Sequence, residues 1–298
     1  MNHILLPVDF SPASESAVPY AVDLAQKAAG HLILVHAFRP PILPPANIFT
    51  SREETEISVA AEMEQIKLEK LKQFAEEHVG NKVPVLTQCV MGSNPVEAIV
   101  DYIHDRNIAL VVSGTSGAQS WTEEFKGTFS ADLIRKCRVP VLVVPEHCDF
   151  KPFENMVYAT DRRADETAFF DIMTAFAKMY QSHATFLHVE ITGGVRHNPH
   201  PALAEFLKGA NHDKLGTVEV TAADIETGLM TFVSEQNIDL IALSTQTHSR
   251  LELLFHRSLA RKQVHHSKIP VLVFDRNHAL RVTDRANNNF HLPFFEFN

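Results

Sequence analysis

Three glycines and two hydroxyls raise the first chemical question in this chain. The stretch VVSGTSGAQSWTEEFKGTFSADL, residues 111–133, carries Gly114, Gly117 and Gly127, then Thr128 and Ser130. Glycine permits positive φ and lets backbone N–H groups approach a ligand that a Cβ would block. Gly127 and Thr128 fall where the sequence predicts a helix to begin, running through Ser130–Cys137. A helix start offers free N–H groups and the positive end of the dipole to an anion. Thr128 and Ser130 add donors suited to phosphate oxygens. The chemistry implied is a phosphate cradle, and plain turn glycines in a strand-to-helix connection are the competing reading. It is not a Walker loop, because no GKS or GKT follows a GxxxxG and Lys126 precedes its glycine. Nor is it the dinucleotide fingerprint, which follows the first strand of its unit and not the fourth.

Such residues need a frame. Near-continuous Val/Ile/Leu runs at 3–9, 31–37, 83–90, 108–113 and 140–144 suit parallel strands buried on both faces. Between them lie helical patterns, at 12–29 after a Ser-Pro start signal and at 50–79, where Ile57, Ala61, Leu68, Leu71 and Ala75 share helical spacing. Strands alternating with helices imply an open, doubly wound α/β domain with right-handed crossovers. Ligands of such sheets collect beyond the carboxyl ends of the strands, near the switch in strand order. Those ends carry Asp9, Ala37 and Ser113–Gly114. Asp9, just before Ser-Pro, is also a candidate to cap the next helix.

The pattern occurs twice. HILLPVD (3–9) pairs with NMVYATD (155–161) and HLILVHA (31–37) with HATFLHV (183–189), both at an offset of 152. NIALVVSG (107–114) pairs with NIDLIALS (237–244) and RVPVLVVP (138–145) with KIPVLVFD (268–275), both at an offset of 130. The lost 22 residues place an insertion between Ala37 and about Leu86 of the first copy. The expected organisation is two tandem Rossmann-like domains, 1–147 and 153–276, followed by a tail, 277–298. Each domain is expected to be an open five-stranded parallel sheet with helices on both faces. In the second copy Ser244, Thr247 and Arg257 stand where the first has its three glycines, and only Ser258 keeps a hydroxyl. Asp161 survives beside Arg162 and Arg163. The contrast predicts one anionic ligand per chain, in the first copy.

Composition narrows the function classes. Lys plus Arg total 27 against 36 Asp plus Glu, a net charge of -9, which argues against nucleic acid or an anionic membrane as the partner. Three cysteines without a CxxC point to a reducing compartment. The opening residues form no signal peptide and no window approaches the roughly 18 apolar residues of a membrane helix, so the expected address is the cytoplasm. No GxSxG, HExxH or paired-carboxylate spacing stands out, and no catalytic residue is assigned. His197-x2-His200 and His265–His266 lack a finger-like ligand set, and His36 and His188 at equivalent strand ends read as structural.

Gly114-x2-Gly117-x9-Gly127-Thr128 matches the G-2x-G-9x-G-(S/T) nucleotide motif of the universal stress protein family. PVDFS at 7–11, LVHAF at 34–38 and VPVLVVP at 139–145 are also similar to that family's strands, so the chain resembles a tandem universal stress protein. The resemblance implies ATP, with Mg²⁺ as its possible companion, bound by the motif-bearing copy. It places Pro7, Asp9 and the Ala37 backbone on the adenosine side. Ser113 and Gly114 would support the ribose and first phosphate, and Gly117, Gly127, Thr128, Phe129 and Ser130 the phosphate chain. Phe129 stands where the family often has a smaller residue. The function implied is an ATP-binding stress-response protein with the nucleotide as regulatory ligand. The alternatives are a slow metal-dependent ATPase, for which the loop's Glu123 and Glu124 are candidate Mg²⁺ or water ligands, and a nucleotide-free interaction module. Because the family's last strand often mediates dimers, the expected association is an intramolecular pseudo-dimer of the two domains, with a homodimer also open. RPPILPPANIF (39–49) is either a lid or a stiff connection, and NFHLPFFEFN (289–298) is expected to cover an apolar groove.

Overall fold

A computed structural model describes residues 3–41, 52–115, 129–160, 166–193, 201–210, 212–245 and 269–275, without the side chains of 52–57, 245 and 275. The first half alternates β1 (His3–Pro7), α1 (Pro12–Lys27), β2 (His31–Phe38), α2 (Arg52–His78), β3 (Val85–Met91), α3 (Pro95–His104), β4 (Ile108–Thr115), α4 (Phe129–Lys136) and β5 (Val141–Pro145). The second follows with β6 (Asn155–Ala159), α5 (Thr167–Tyr180), β7 (His183–Ile191), α6 (Ala202–Gly209), β8 (Leu215–Ala222), α7 (Ile225–Glu235), β9 (Leu240–Thr245) and β10 (Val271–Asp275).

Local chemistry fixes the helix starts. Ser11 caps α1, its hydroxyl accepting from the Ser14 N–H, and Pro12 supplies a preset φ in the first turn. Asn94 and Pro95 do the same for α3, where the Asn94 side chain accepts from the Val96 N–H. Asp224 opens α7 by accepting from Thr227 N–H at 2.8 Å.

All ten strands form one sheet, in the order β3-β2-β1-β4-β5-β10-β9-β6-β7-β8. Within each half every pair is parallel, and the register of the first half recurs in the second. Leu5 faces Ile33 and Val111, and Val157 faces Thr185 and Ile241. Val35 faces Gln88 as Leu187 faces Val218, and Val111 faces Val141 as Ile241 faces Val271. Each second-half partner is the first-half one advanced by 152 or 130, the offsets read from the sequence.

The halves meet through β5 and β10, which pair antiparallel with Val143 against Val271, Leu142 against Leu272 and Val141 against Val273. Leu142 and Leu272 are equivalent residues facing each other, so the junction has the self-complementary form of a two-fold contact. It also removes two sheet edges that would otherwise present unpaired backbone groups. Across the connection, Phe153 packs between Tyr20 (5.7 Å) and Tyr180 (5.0 Å), and the Tyr180 hydroxyl donates to Asp23 at 2.5 Å.

Two apolar cores cover the sheet. One packs α1, α2, α5 and α6 onto the face that carries Leu6, Leu34, Leu142 and Leu272. The other packs α3, α4 and α7 onto Leu5, Ile33, Val143 and Val273. The 22 extra residues lie between β2 and β3, where α2 has 27 residues against the eight of α6.

Candidate ligand cleft

In the first half β1 is flanked by β2 and β4, so the chain's path along the sheet reverses there, and the crevice beyond the carboxyl ends of these strands is open. It encloses ≈ 290 Å³. Pro7, Asp9, Ala37, Ser113, Gly114, Phe129 and Ser130 all line it, so seven of the ten residues named from the sequence share one cleft. Gly117, Gly127 and Thr128 lie outside the described residues. So do Glu123, Glu124, Asp161, Arg162, Arg163, Thr247, Arg257, Ser258, the four histidines at 197, 200, 265 and 266, most of the proline-rich segment and the tail.

Three helices begin at this cleft. Ser11, Ala13 and Ser14 reach it from the start of α1, Pro95 and Ile99 from α3, and Phe129 and Ser130 from α4. The positive ends of three helix dipoles therefore converge on one cavity, which favours an anion. Pro7, Val8, Ala37 and Ile99 supply apolar surface beside them.

Individual residues do more specific work than their types suggested. Asp9 is exposed, and its Oδ1 accepts from the Ser11 N–H (3.0 Å) and the Ser11 hydroxyl (2.5 Å). It thus holds the capping serine in place, and Ser11 itself caps the helix. Gly114 does not adopt positive φ; it is the seventh residue of β4 and pairs with Val144. Its missing Cβ serves packing, because a methyl there would lie 2.0 Å from the Ala13 carbonyl oxygen. β4 also runs two residues past the end expected at Ser113, through Gly114 to Thr115.

Ser113 and Ser130 are both buried. The Ser130 hydroxyl donates to the Gly114 carbonyl (3.0 Å), and the Ser113 hydroxyl lies 3.1 Å from it and 3.3 Å from the same carbonyl. With Ser130's proton on the carbonyl, Ser113's is shared between that carbonyl and Ser130's oxygen. The pair pins the first turn of α4 to the end of β4. Beneath the cleft the buried His36 Nδ1 donates to the Val8 carbonyl at 2.7 Å, and its ring packs 4.7 Å from Phe10. Burial outweighs that hydrogen bond and holds its pKa below the usual histidine value, with Lys67 and Lys70 adding to the effect.

The sequence reading missed Val8, Ser11, Ala13, Ser14, Pro95, Ile99 and Thr115 among the lining residues. The Ser-Pro and Asn-Pro helix starts were the available signals, since every helix that follows a strand of such a sheet begins beside the crevice.

Fold and cleft together define a doubly wound α/β protein with an open crevice at its strand switch point. Residues 1–145 match the model of the universal stress protein family, so the first half is a domain of that family. That region is also similar to universal stress protein MJ0577 of Methanocaldococcus jannaschii, 28% identical over 47% of this chain and 93% of that protein. Universal stress protein YxiE of Bacillus subtilis is 23% identical over 48% of this chain and 98% of its own. A crystal structure of a universal stress protein from Archaeoglobus fulgidus shares the fold over both halves. It covers 92% of this chain and 96% of that one at a TM-score of 0.65 and 17% identity. Among the described residues, no helix is long and apolar enough to cross a membrane.

Proposed function

We propose that the chain is a tandem universal stress protein that binds ATP in its first half and uses it as a regulatory ligand. The observation that carries this reading is the convergence of three helix starts and seven sequence-named residues on one cleft. The cavity stands near the lower end of the range for small-molecule sites, about 300 to 1,000 Å³, and suits the nucleoside part of the ligand. Pro7, Val8, Ala37 and Ile99 would flank the base, and the exposed Asp9 carboxylate would accept from a sugar hydroxyl or a base amine. The phosphates fall to the loop ending at Gly127 and Thr128, and to the positive ends of α1 and α4. Because Ser113 and Ser130 already bond to each other and to Gly114, their part is to hold that helix end still.

The doubled strand order and register support reading the second half as a further copy of the same domain. Its partner is then the first half, across β5 and β10. The cytoplasm is the expected compartment. Mass spectrometry of ligand released from freshly purified protein tests the assignment, together with calorimetry against ATP. An adenine nucleotide, or saturable binding lost in Gly127→Arg, supports it. Protein that carries no nucleotide and shows no saturable binding at millimolar ATP refutes it. Metal-dependent ATP turnover that falls with Asp9→Ala would instead make the same site an ATPase.

A further inference from the structure

The opposite end of the sheet holds a second feature that the nucleotide reading does not use. His3 and His31 are the first residues of β1 and β2 and face each other directly in the parallel register. Their ring centroids lie 5.5 Å apart at an interplanar angle of 47°. Both rings are half-buried, and in both the Nδ1 atom is shut off from solvent without a hydrogen-bond partner. Of the three such side-chain atoms among the described residues, two are this pair. A buried polar atom without a partner costs free energy, about 1–3 kcal/mol, and marks a place where an ion or water completes the bonding.

We infer that His3 and His31 form a binding site for one divalent transition-metal ion, zinc or copper(II), held between their Nδ1 atoms. Imidazole nitrogen is the favoured donor for both metals. With metal–nitrogen bonds of about 2.0–2.1 Å, two imidazoles sharing an ion near the tetrahedral angle have centroids about 5 to 5.5 Å apart. The observed centroid separation of 5.5 Å lies at the upper end of that range. Two imidazoles are fewer protein ligands than the four of a structural zinc site. Among the described residues no cluster of three or more His, Cys, Asp or Glu side chains offers a competing site.

The second half contains its own control. At the equivalent register Asn155 faces His183, so that half has one imidazole where the first has two.

The test uses the full, tag-free, metal-stripped chain, because a polyhistidine tag would mask the site. Zinc is titrated by calorimetry into the wild type, His3→Asn, His31→Asn and His183→Asn, and copper(II) is followed by electron paramagnetic resonance. His3→Asn and His31→Asn should each lose one equivalent of metal, with affinity at that site falling at least tenfold. His183→Asn should keep it. Asparagine is the residue the second half carries at the position of His3, so the metal-free melting curve should be preserved. The copper spectrum of the wild type should show coupling to two imidazole nitrogens, a readout that depends on no variant. Unchanged stoichiometry in both His3→Asn and His31→Asn, or a copper spectrum without paired imidazole coupling, would overturn the inference and leave a bridging water.

Discussion

Each half ends its first strand with the same hydrogen bond: His36 Nδ1 donates to Val8 at 2.7 Å, and His188 Nδ1 to Thr160 at 3.0 Å. Around that shared point the two halves are filled differently. Where the first has Leu6, Val8 and Ser14, the second has Tyr158, Thr160 and Glu166. Glu166 is buried and accepts from the Tyr158 hydroxyl (3.2 Å) and from Thr160 Oγ1 (2.7 Å). The second half therefore places a buried carboxylate at the sequence position equivalent to Ser14, directly before its first helix. Gly114 becomes Ser244, whose Cβ would not fit against a helix start placed like that of α1. Accordingly α5 starts at Thr167, three positions later in register than Pro12 of α1. The two halves thus share strand register while the surroundings of this point differ through a few coupled residues.

The largest effect should come from making the first half resemble the second at its tightest point. Gly114→Ser places a Cβ against the Ala13 carbonyl, and overpacking of this kind costs about 3 kcal/mol. Chemical denaturation should show that loss, and a wild-type midpoint would mean that β4 and α1 are not held by close contact.

The converse change is made at Glu166. Glu166→Ala removes the carboxylate that accepts from two buried hydroxyls, at about 1 kcal/mol each. The triple change Tyr158→Phe, Thr160→Val, Glu166→Ala, which keeps the buried ring among its aromatic neighbours and removes both hydroxyls with their acceptor, should cost less than Glu166→Ala alone. If the single and triple variants add independently in unfolding experiments, the three residues are not one network.

A smaller effect concerns acid. The folded pKa of His36 lies below the unfolded value of about 6.5, so the unfolded chain takes up that proton first. The associated stability is complete above about pH 6.5 and is lost as pH falls below it. His36→Gln should flatten this part of the pH–stability curve, and an unaltered slope would locate the acid sensitivity elsewhere.

The smallest effect lies at the edges. Cys89 of β3 is covered by α2, whereas Glu219 at the matching position of β8 is exposed. Burial pushes the Cys89 thiol up to about 11. Thiol reagents should therefore label it slowly at neutral pH and faster as pH approaches 11. Rapid labelling at pH 7 would show that α2 does not stay in place.

Much of this was legible because buried parallel strands write themselves as apolar runs. HILLPVD and NMVYATD gave away both first strands, and the two offsets carry each first-half pairing onto its second-half counterpart, Val35 with Gln88 onto Leu187 with Val218. The cleft was legible as well, since Asp9, Ala37 and Ser113 sit where strands end. What stayed hidden depends on contacts between segments distant in sequence. Nothing around Gly114 announces the Ala13 carbonyl, so the packing role of its missing Cβ was not readable from the glycine spacing. Glu166 in DETAFF reads as an ordinary acidic residue at a helix start until Tyr158 and Thr160 close over it. His3 and His31 become a pair only through the register of β1 on β2.

The central claim, one nucleotide per chain held by the first half alone, is tested most directly by calorimetric titration of ATP into the full-length protein and its Gly127→Arg variant. That substitution installs the residue found at the matching position of the second half. The wild type should bind one equivalent, and the variant none, with both melting alike. Two equivalents in the wild type, or one retained in the variant, would contradict the claim.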